Sequence, residues 1–205
     1  MKRSFRLKCK ILTGMLILVS VLGMTACSSK ESGENTTYVS LTKDGKVRSD
    51  IAESFEQSYY DKDELQQTIL AEAASYNRSV GNGNITVEKV EVKNGVAVVQ
   101  MIYADAKDYA AFNKTDFFVG TAKEAQEAGY DLNVVLSGVK DSGQTVGQAD
   151  ILAMKDVRLL ITDISDAVML NGKALYIREN VTASENAKVV QRAVDSEKKA
   201  NIIFK

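Results

Sequence analysis

The stretch ITVEKVEVKNGVAVVQMIYA, residues 85–104, constrains this chain more than any other. Apolar and polar residues alternate on both sides of Asn94-Gly95. That dipeptide tolerates the two positive φ angles of a type I′ turn, so the stretch predicts a hairpin with strands over 85–93 and 96–104. Ile85 and Val87 share one parity while Val90 and Val92 share the other, and this slip at Glu88-Lys89 predicts a β-bulge. Val96–Ile102 is apolar on both faces, as a strand inside a sheet should be. Asp44-Gly45 marks a second hairpin, with strands over 37–43 and 46–55, and Asn171-Gly172 marks a third turn. Proline is absent, although a usage of about 5% would give roughly ten in such a chain. Turns therefore fall to Gly, Asn and Asp.

Helices are announced by their caps. Asp61 with Glu64 three residues on forms a capping-box pattern, and Tyr60 and Leu65 stand where a hydrophobic staple would sit. Leu65, Ile69, Ala73 and Tyr76 then recur at helical spacing, which predicts a helix over 62–77 with one face on a sheet. It stops before Asn77-Arg78 and the Gly81-Asn82-Gly83 turn. A short helix follows over 105–113. Another spans 122–128, capped by Thr121 and stopped by Gly129. Strands are expected at 117–119, 132–136, 157–164, 167–170 and 173–178, with a loop over 140–147. Residues 187–194 are good helix formers that also alternate as a strand would. The alternation favours a strand that turns at 195–199 into a closing strand over 201–204. The fold class is α+β, antiparallel hairpins packed with two to four helices.

The first ten residues hold Lys2, Arg3, Arg6, Lys8 and Lys10 and no acid, and Ile11–Met24 then runs for 14 residues without charge. Basic residues hold such a flank in the cytoplasm. The run fits the ~7–15 residues of a signal-peptide core and falls short of the ~20 needed to span a bilayer. It ends in Met24-Thr25-Ala26-Cys27. This ending resembles the bacterial lipobox, Leu-(Ala/Ser/Thr)-(Gly/Ala)-Cys, with Met24 in place of leucine. The resemblance implies removal of residues 1–26, a diacylglyceryl thioether on Cys27, and a protein anchored to the outer, extracytoplasmic face of the cell membrane. Two acyl chains hold stably where one binds marginally, at about 0.8 kcal/mol per buried CH₂. The alternative is an uncleaved signal anchor with an incidental Cys27; the order of basic flank, short apolar run, small residues and cysteine favours the lipobox. Residues 27–36 then read as a flexible polar tether and 37–205 as one extracytoplasmic domain.

Losing the signal takes the formal charge from −1 to −6, which argues against a nucleic-acid partner. Cys9 leaves with the signal and Cys27 carries lipid, so the domain has no disulfide, no cysteine nucleophile and no thiolate metal site. Histidine is absent. That excludes Ser-His-Asp chemistry, imidazole acid–base catalysis and His ligation. No cofactor is called for.

Four patterns could carry chemistry. Residues 59–65, YYDKDEL, pair two tyrosines with three carboxylates; a cation or sugar could sit there, but acids also suit a helix start. Asp163 and Asp166 could be the paired carboxylates of a glycosidase, which need about 5–9.5 Å between them; nothing in the spacing requires that, and in a chain with 27 acids a solvated turn is the default. Ser40-x-x-Lys43 and Ser196-x-x-Lys199 match the S-x-x-K of penicillin-recognising enzymes, without the companion K-T-G and S-D-N. Gly81-Asn82-Gly83 lacks the third glycine of a dinucleotide loop and precedes a strand.

KDGKV (43–47), ESFEQSYYD (53–61), DEL (63–65) and SYN (75–77), with ALYIRENV (174–181) and NIIFK (201–205), resemble a group of uncharacterised lipoproteins of clostridial bacteria. The resemblance implies a surface lipoprotein of a monoderm envelope and carries no known activity. The expected function is a non-enzymatic envelope module that binds a small ligand or a partner protein. The alternatives are a carboxylate-dependent hydrolase of cell-wall glycan or a similar polymer, and a structural or assembly factor.

Overall fold

The computed structural model describes residues 36–205. Cys9, the signal peptide, Cys27 and nearly all of the tether lie outside the described residues. In chain order the elements are β1 (Tyr38–Leu41), β2 (Val47–Ser54), α1 (Lys62–Val80), β3 (Ile85–Lys93), β4 (Val96–Tyr103), α2 (Ala106–Asn113), β5 (Phe117–Gly120), α3 (Ala122–Glu127), β6 (Leu136–Gly138) and β7 (Thr145–Val146). There follow α4 (Gln148–Ala153), β8 (Arg158–Thr162), β9 (Ala167–Met169), β10 (Ala174–Ile177), β11 (Val181–Ala183), β12 (Val189–Arg192) and β13 (Ala200–Phe204). The protein is α+β, with two mostly antiparallel sheets and four helices.

One sheet has seven strands in the order β11-β12-β9-β1-β2-β4-β3, and the other six in the order β5-β8-β13-β10-β6-β7. The β3–β4 hairpin forms as its sequence dictates. Asn94 and Gly95 adopt φ of 52° and 73°, both positive as a type I′ turn requires. Pairing passes from Val87↔Met101 to Lys89↔Gln100 and skips Glu88, the expected bulge. β4 lies between β2 and β3. β1 pairs antiparallel with β2 and parallel with β9 (Tyr38↔Ala167, Val39↔Val168).

Strand alternation sorts the core into layers. Val39, Val47, Val99, Met101 and Tyr103 of the seven-stranded sheet are buried in one cluster with Ile69 and Ala73 of α1. The same cluster takes in Leu160, Ile202 and Phe204 of the six-stranded sheet. The intervening residues Leu159, Ile161 and Ile203 join a second cluster with Leu136, Ala125 of α3, Ile151 of α4, and Leu132 and Val134. β8 and β13 are therefore buried on both faces, each such aliphatic side chain contributing about 1.5–3 kcal/mol.

Asp61 caps α1, its Oδ1 accepting from the backbone N–H of Asp63 at 2.8 Å and of Glu64 at 2.9 Å. The reciprocal box completes instead at α3, between Thr121 and Glu124. α1 runs to Val80, one turn past the expected end, and stops at Gly81 with φ 77°. Asn77 does not end the helix. Its side chain leaves the helix surface to bridge both backbone groups of Ile85 at 2.8 Å, pinning α1 to β3.

Two expectations need correction. The strand placed at 132–136 lies at Leu136–Gly138. Leu132, Val134 and Leu136 are buried and Val135 is exposed, so the alternation is real. Residues 132–135 nevertheless cover the six-stranded sheet without joining its ladder; the Val134 N–H donates to the Leu132 carbonyl. The loop over 140–147 contains the short β7, and α4 follows directly behind Gly147, a residue with no side chain to announce it. Residues 187–194 resolve as the strand β12, and 201–204 as β13. Asn171-Gly172 turns the chain between sheets, because β9 and β10 belong to different ones.

Candidate functional site

Among the described residues, a partly enclosed cleft lies where the two sheets meet, at the end of β1 opposite Tyr38. It has a volume of about 110 Å³ and draws on separate parts of the chain. The β1–β2 turn gives Thr42, Gly45 and Lys46. The start of α2 gives Asp105, Ala106 and Lys107. Val119 of β5, Arg158 at the start of β8 and Asn171 at the sheet-to-sheet corner complete it, and Leu41 and Val47 supply its apolar part. Asn171 Nδ2 donates to the Thr42 carbonyl at 3.0 Å and ties turn to corner.

Each acid around this cleft has at least one carboxylate oxygen engaged. Asp105 Oδ1 takes the N–H groups of Lys107 and Asp108 at 2.8 and 2.9 Å. Glu124 Oε2 takes the N–H and hydroxyl of Thr121 at 2.7 and 2.9 Å. Those bonds, more than the nearby charges of Arg158 and Lys107, hold the Glu124 carboxyl below its ordinary range. Asp44 is drawn down to about 2 by the Thr42 hydroxyl and by Lys46, whose Nζ lies 3.0 Å from it. The donors are less engaged. Arg158 Nη2 makes one long bond, 3.4 Å, to the Val119 carbonyl, and among the described residues Lys107 Nζ has no ion-pair partner within 4.0 Å.

The residues singled out in the sequence lie elsewhere. In YYDKDEL, one Asp61 oxygen is spent on the helix cap, and the rings of Tyr59 and Tyr60 meet edge to face at 4.9 Å, with Phe55 4.8 Å from Tyr60. Tyr59 remains 70% exposed on an open surface. Among the described residues no group of three or more Asp, Glu, His or Cys is placed to hold a metal ion. Asp163 accepts from the Thr115 hydroxyl and, at 3.0 Å, from the Asp116 N–H, so it fastens the α2–β5 connection to β8. Asp166 is not joined to it; burial pushes the Asp166 carboxyl up. Glu53 of β2 is also raised, first by burial and then by the charge of Asp166. Lys199 is held 2.8 Å from Asp116, which raises its pKa; a general-base lysine needs the opposite shift. Ser196 Oγ accepts instead from Asn180 Nδ2 and the Lys198 N–H. Ser40 lies on β1 while Lys43 is on the exposed turn beyond it. Gly81-Asn82-Gly83 is a helix-ending turn.

A second, more open depression of about 260 Å³ runs along Ser137, Val139, Ile177, Arg178 and Val181. Beside it Asn180 donates to the Lys198 carbonyl at 2.7 Å, while its buried Oδ1 has no partner among the described residues.

Searches of protein-family models, of curated proteins and of solved structures find no match to this chain. Among the described residues no helix is long and apolar enough to cross a membrane.

Proposed function

We propose that this chain is a lipid-anchored module of the extracytoplasmic membrane face, held through Cys27, whose α+β domain binds a small ligand or partner protein of the envelope. The direction of β1 carries the reading. Tyr38, close behind the tether, begins the strand, and the Thr42–Lys46 turn of the cleft follows its far end. At roughly 3.3 Å per residue β1 alone separates the two by about 13 Å. A tether leading into Tyr38 meets the larger sheet opposite Asp50, partway along β2, and leaves the cleft one length of β1 away. The lipobox-like run supplies the address and the cleft supplies the surface.

The anchor is tested with radiolabelled palmitate. Wild type should incorporate it and partition with membranes; Cys27→Ala should do neither. Absence of label in the wild type refutes the anchor. Binding is tested by cross-linking the full chain in its native envelope, with and without Arg158→Glu at the cleft. An adduct lost on that substitution supports the reading, and an unchanged adduct pattern removes the cleft from it.

A second reading, hydrolysis of envelope glycan by carboxylates, draws on Glu53 and Asp166, with Glu53, raised by burial and then by the Asp166 charge, as the acid and Asp166 as its ionised partner. It predicts glycan cleavage abolished by both Glu53→Gln and Asp166→Asn. Cleavage that survives either substitution refutes it.

A further inference from the structure

We propose that the cleft between the β1–β2 turn, α2 and β8 binds a small anionic group, a carboxylate or a phosphate, through Lys46, Lys107 and Arg158. This rests on the reading of the domain as a binding module and gives its ligand a chemical class. The argument is a count of unused hydrogen-bonding capacity. Asp105 and Glu124 would cancel the cations if only charge were summed. One oxygen of each, however, Asp105 Oδ1 and Glu124 Oε2, already accepts two backbone or hydroxyl protons that fix the starts of α2 and α3, and of the two only Asp105 lines the cleft beside Lys46, Lys107 and Arg158. Asp44 is engaged by the Thr42 hydroxyl and by Lys46. The engaged acids keep Lys107 and Arg158 near the cleft without using up their N–H groups. Lys107 retains its ammonium donors, and Arg158 commits only Nη2, to a carbonyl at 3.4 Å. A ligand entering here meets donors in excess of acceptors, and an anion offers the complementary set.

Size and wall chemistry agree. A cavity of about 110 Å³ holds about four waters at ~30 Å³ each, room for one carboxylate or phosphate group. Leu41 is nearly closed to solvent and Val47 fully so, so one side of the site is dry and the donors stand on the others. On a domain of formal charge −5, this concentration of cations also favours capture of the negative end of a larger molecule. The groups that face the site come from five places, the turn, α2, β5, β8 and the Asn171 corner. No local spacing in the sequence brings them together.

The test uses the full chain in a zwitterionic detergent, with inorganic phosphate and acetate as separate probes and methylammonium as the cationic control. Amide shifts of Gly45, Ala106 and Asn171 report occupancy. Phosphate or acetate should move all three and methylammonium none, and whichever of the two saturates at lower concentration gives the ligand's headgroup. Lys107→Gln and Arg158→Gln should each raise the apparent Kd about tenfold, the loss of one charged hydrogen bond. Lys123→Gln, an exposed change paired only with Glu127, should leave it unchanged. Rising NaCl should weaken binding. Absence of shifts with either anion overturns the proposal, as does binding that Lys107→Gln and Arg158→Gln both leave intact. Neither result touches the module reading, which the envelope cross-linking decides separately.

Discussion

Gly172 is the one glycine whose replacement should disturb both sheets at once. It lies at the corner where the chain leaves β9 for β10. A Cβ built there would stand 2.5 Å from both the carbonyl carbon and the oxygen of Lys205. The closeness has a cause: Lys173 and Lys205 exchange two backbone hydrogen bonds, N–H to O at 2.7 Å and 3.0 Å, which fasten the end of β13 to the start of β10. The φ of Gly172 is outside the left-handed region, so backbone strain plays no part and the effect is purely steric. Gly172→Ala leaves two outcomes. The corner can shift, at the ~1–3 kcal/mol typical of one extra carbon forced into a filled site. Otherwise the C-terminal residue can detach and lose both bonds, at about 1 kcal/mol each. Both routes give about 2 kcal/mol, or roughly 4–8 °C in Tm for a domain of this size. Thermal and urea melts followed by circular dichroism measure it, with Gly83→Ala as control. No heavy atom lies within 4 Å of a Cβ at Gly83 and its φ is not positive, so that substitution should be neutral, or stabilising by up to about 1 kcal/mol. Gly172→Ala melting within about 1 °C of wild type refutes the argument.

Three further outcomes are expected. Tyr76 donates to the buried Asp108 at 2.8 Å, and burial followed by that bond pushes its phenol up to about 12. A phenol that ionises later in the folded state loses stability as pH rises above its unfolded value near 10, so alkaline melts should steepen between pH 10 and 12 and Tyr76→Phe should flatten them. Desolvation of the Asp166 carboxyl raises its pKa although the residue is exposed, so, discounted for solvent screening, its ionisation costs the fold only a little stability above the unfolded value near 3.8. Asp166→Asn should therefore raise Tm at pH 7, the gain disappearing in melts near pH 3. Asp50, with a side chain 8% exposed, accepts from Arg48 Nε at 2.8 Å and from Gln100 Nε2 at 2.6 Å. Asp50→Ala leaves both donors unmatched and should cost about 2–3 kcal/mol in urea melts.

Sequence reading succeeded wherever a local device sets the backbone. The Asn94-Gly95 turn, the bulge at Glu88 and the caps Asp61 and Thr121 each act within a few residues, and each is found where expected. It failed at α4, whose N-cap Gly147 offers no side-chain signal, and at 132–135, where burial alternates but no strand is free to pair. The partition into two sheets was not legible at all. β9 and β10 are separated by a turn dipeptide that ordinarily makes a hairpin, yet β9 pairs with β1 and β12, and β10 with β13 and β6. Only the competition of all the apolar faces decides that. The cleft was illegible for the same reason. Lys46, Lys107 and Arg158 come from distant stretches, while in the clusters visible in the sequence Asp61 caps a helix and Asp163 fastens a loop.

The parallel pairing of β1 with β9 also sets a timetable. β1 is the first strand made, and its parallel partner is not available until the chain has grown to about residue 167. At ~5–20 residues per second of synthesis this delay is on the order of ten seconds, and the long-range closure then adds the slow step typical of non-local strand pairing. Until Ala167–Met169 arrives, the edge of β1 is bare, and the early strands cannot close the larger sheet. The first of the described strands is therefore among the last to complete its pairing.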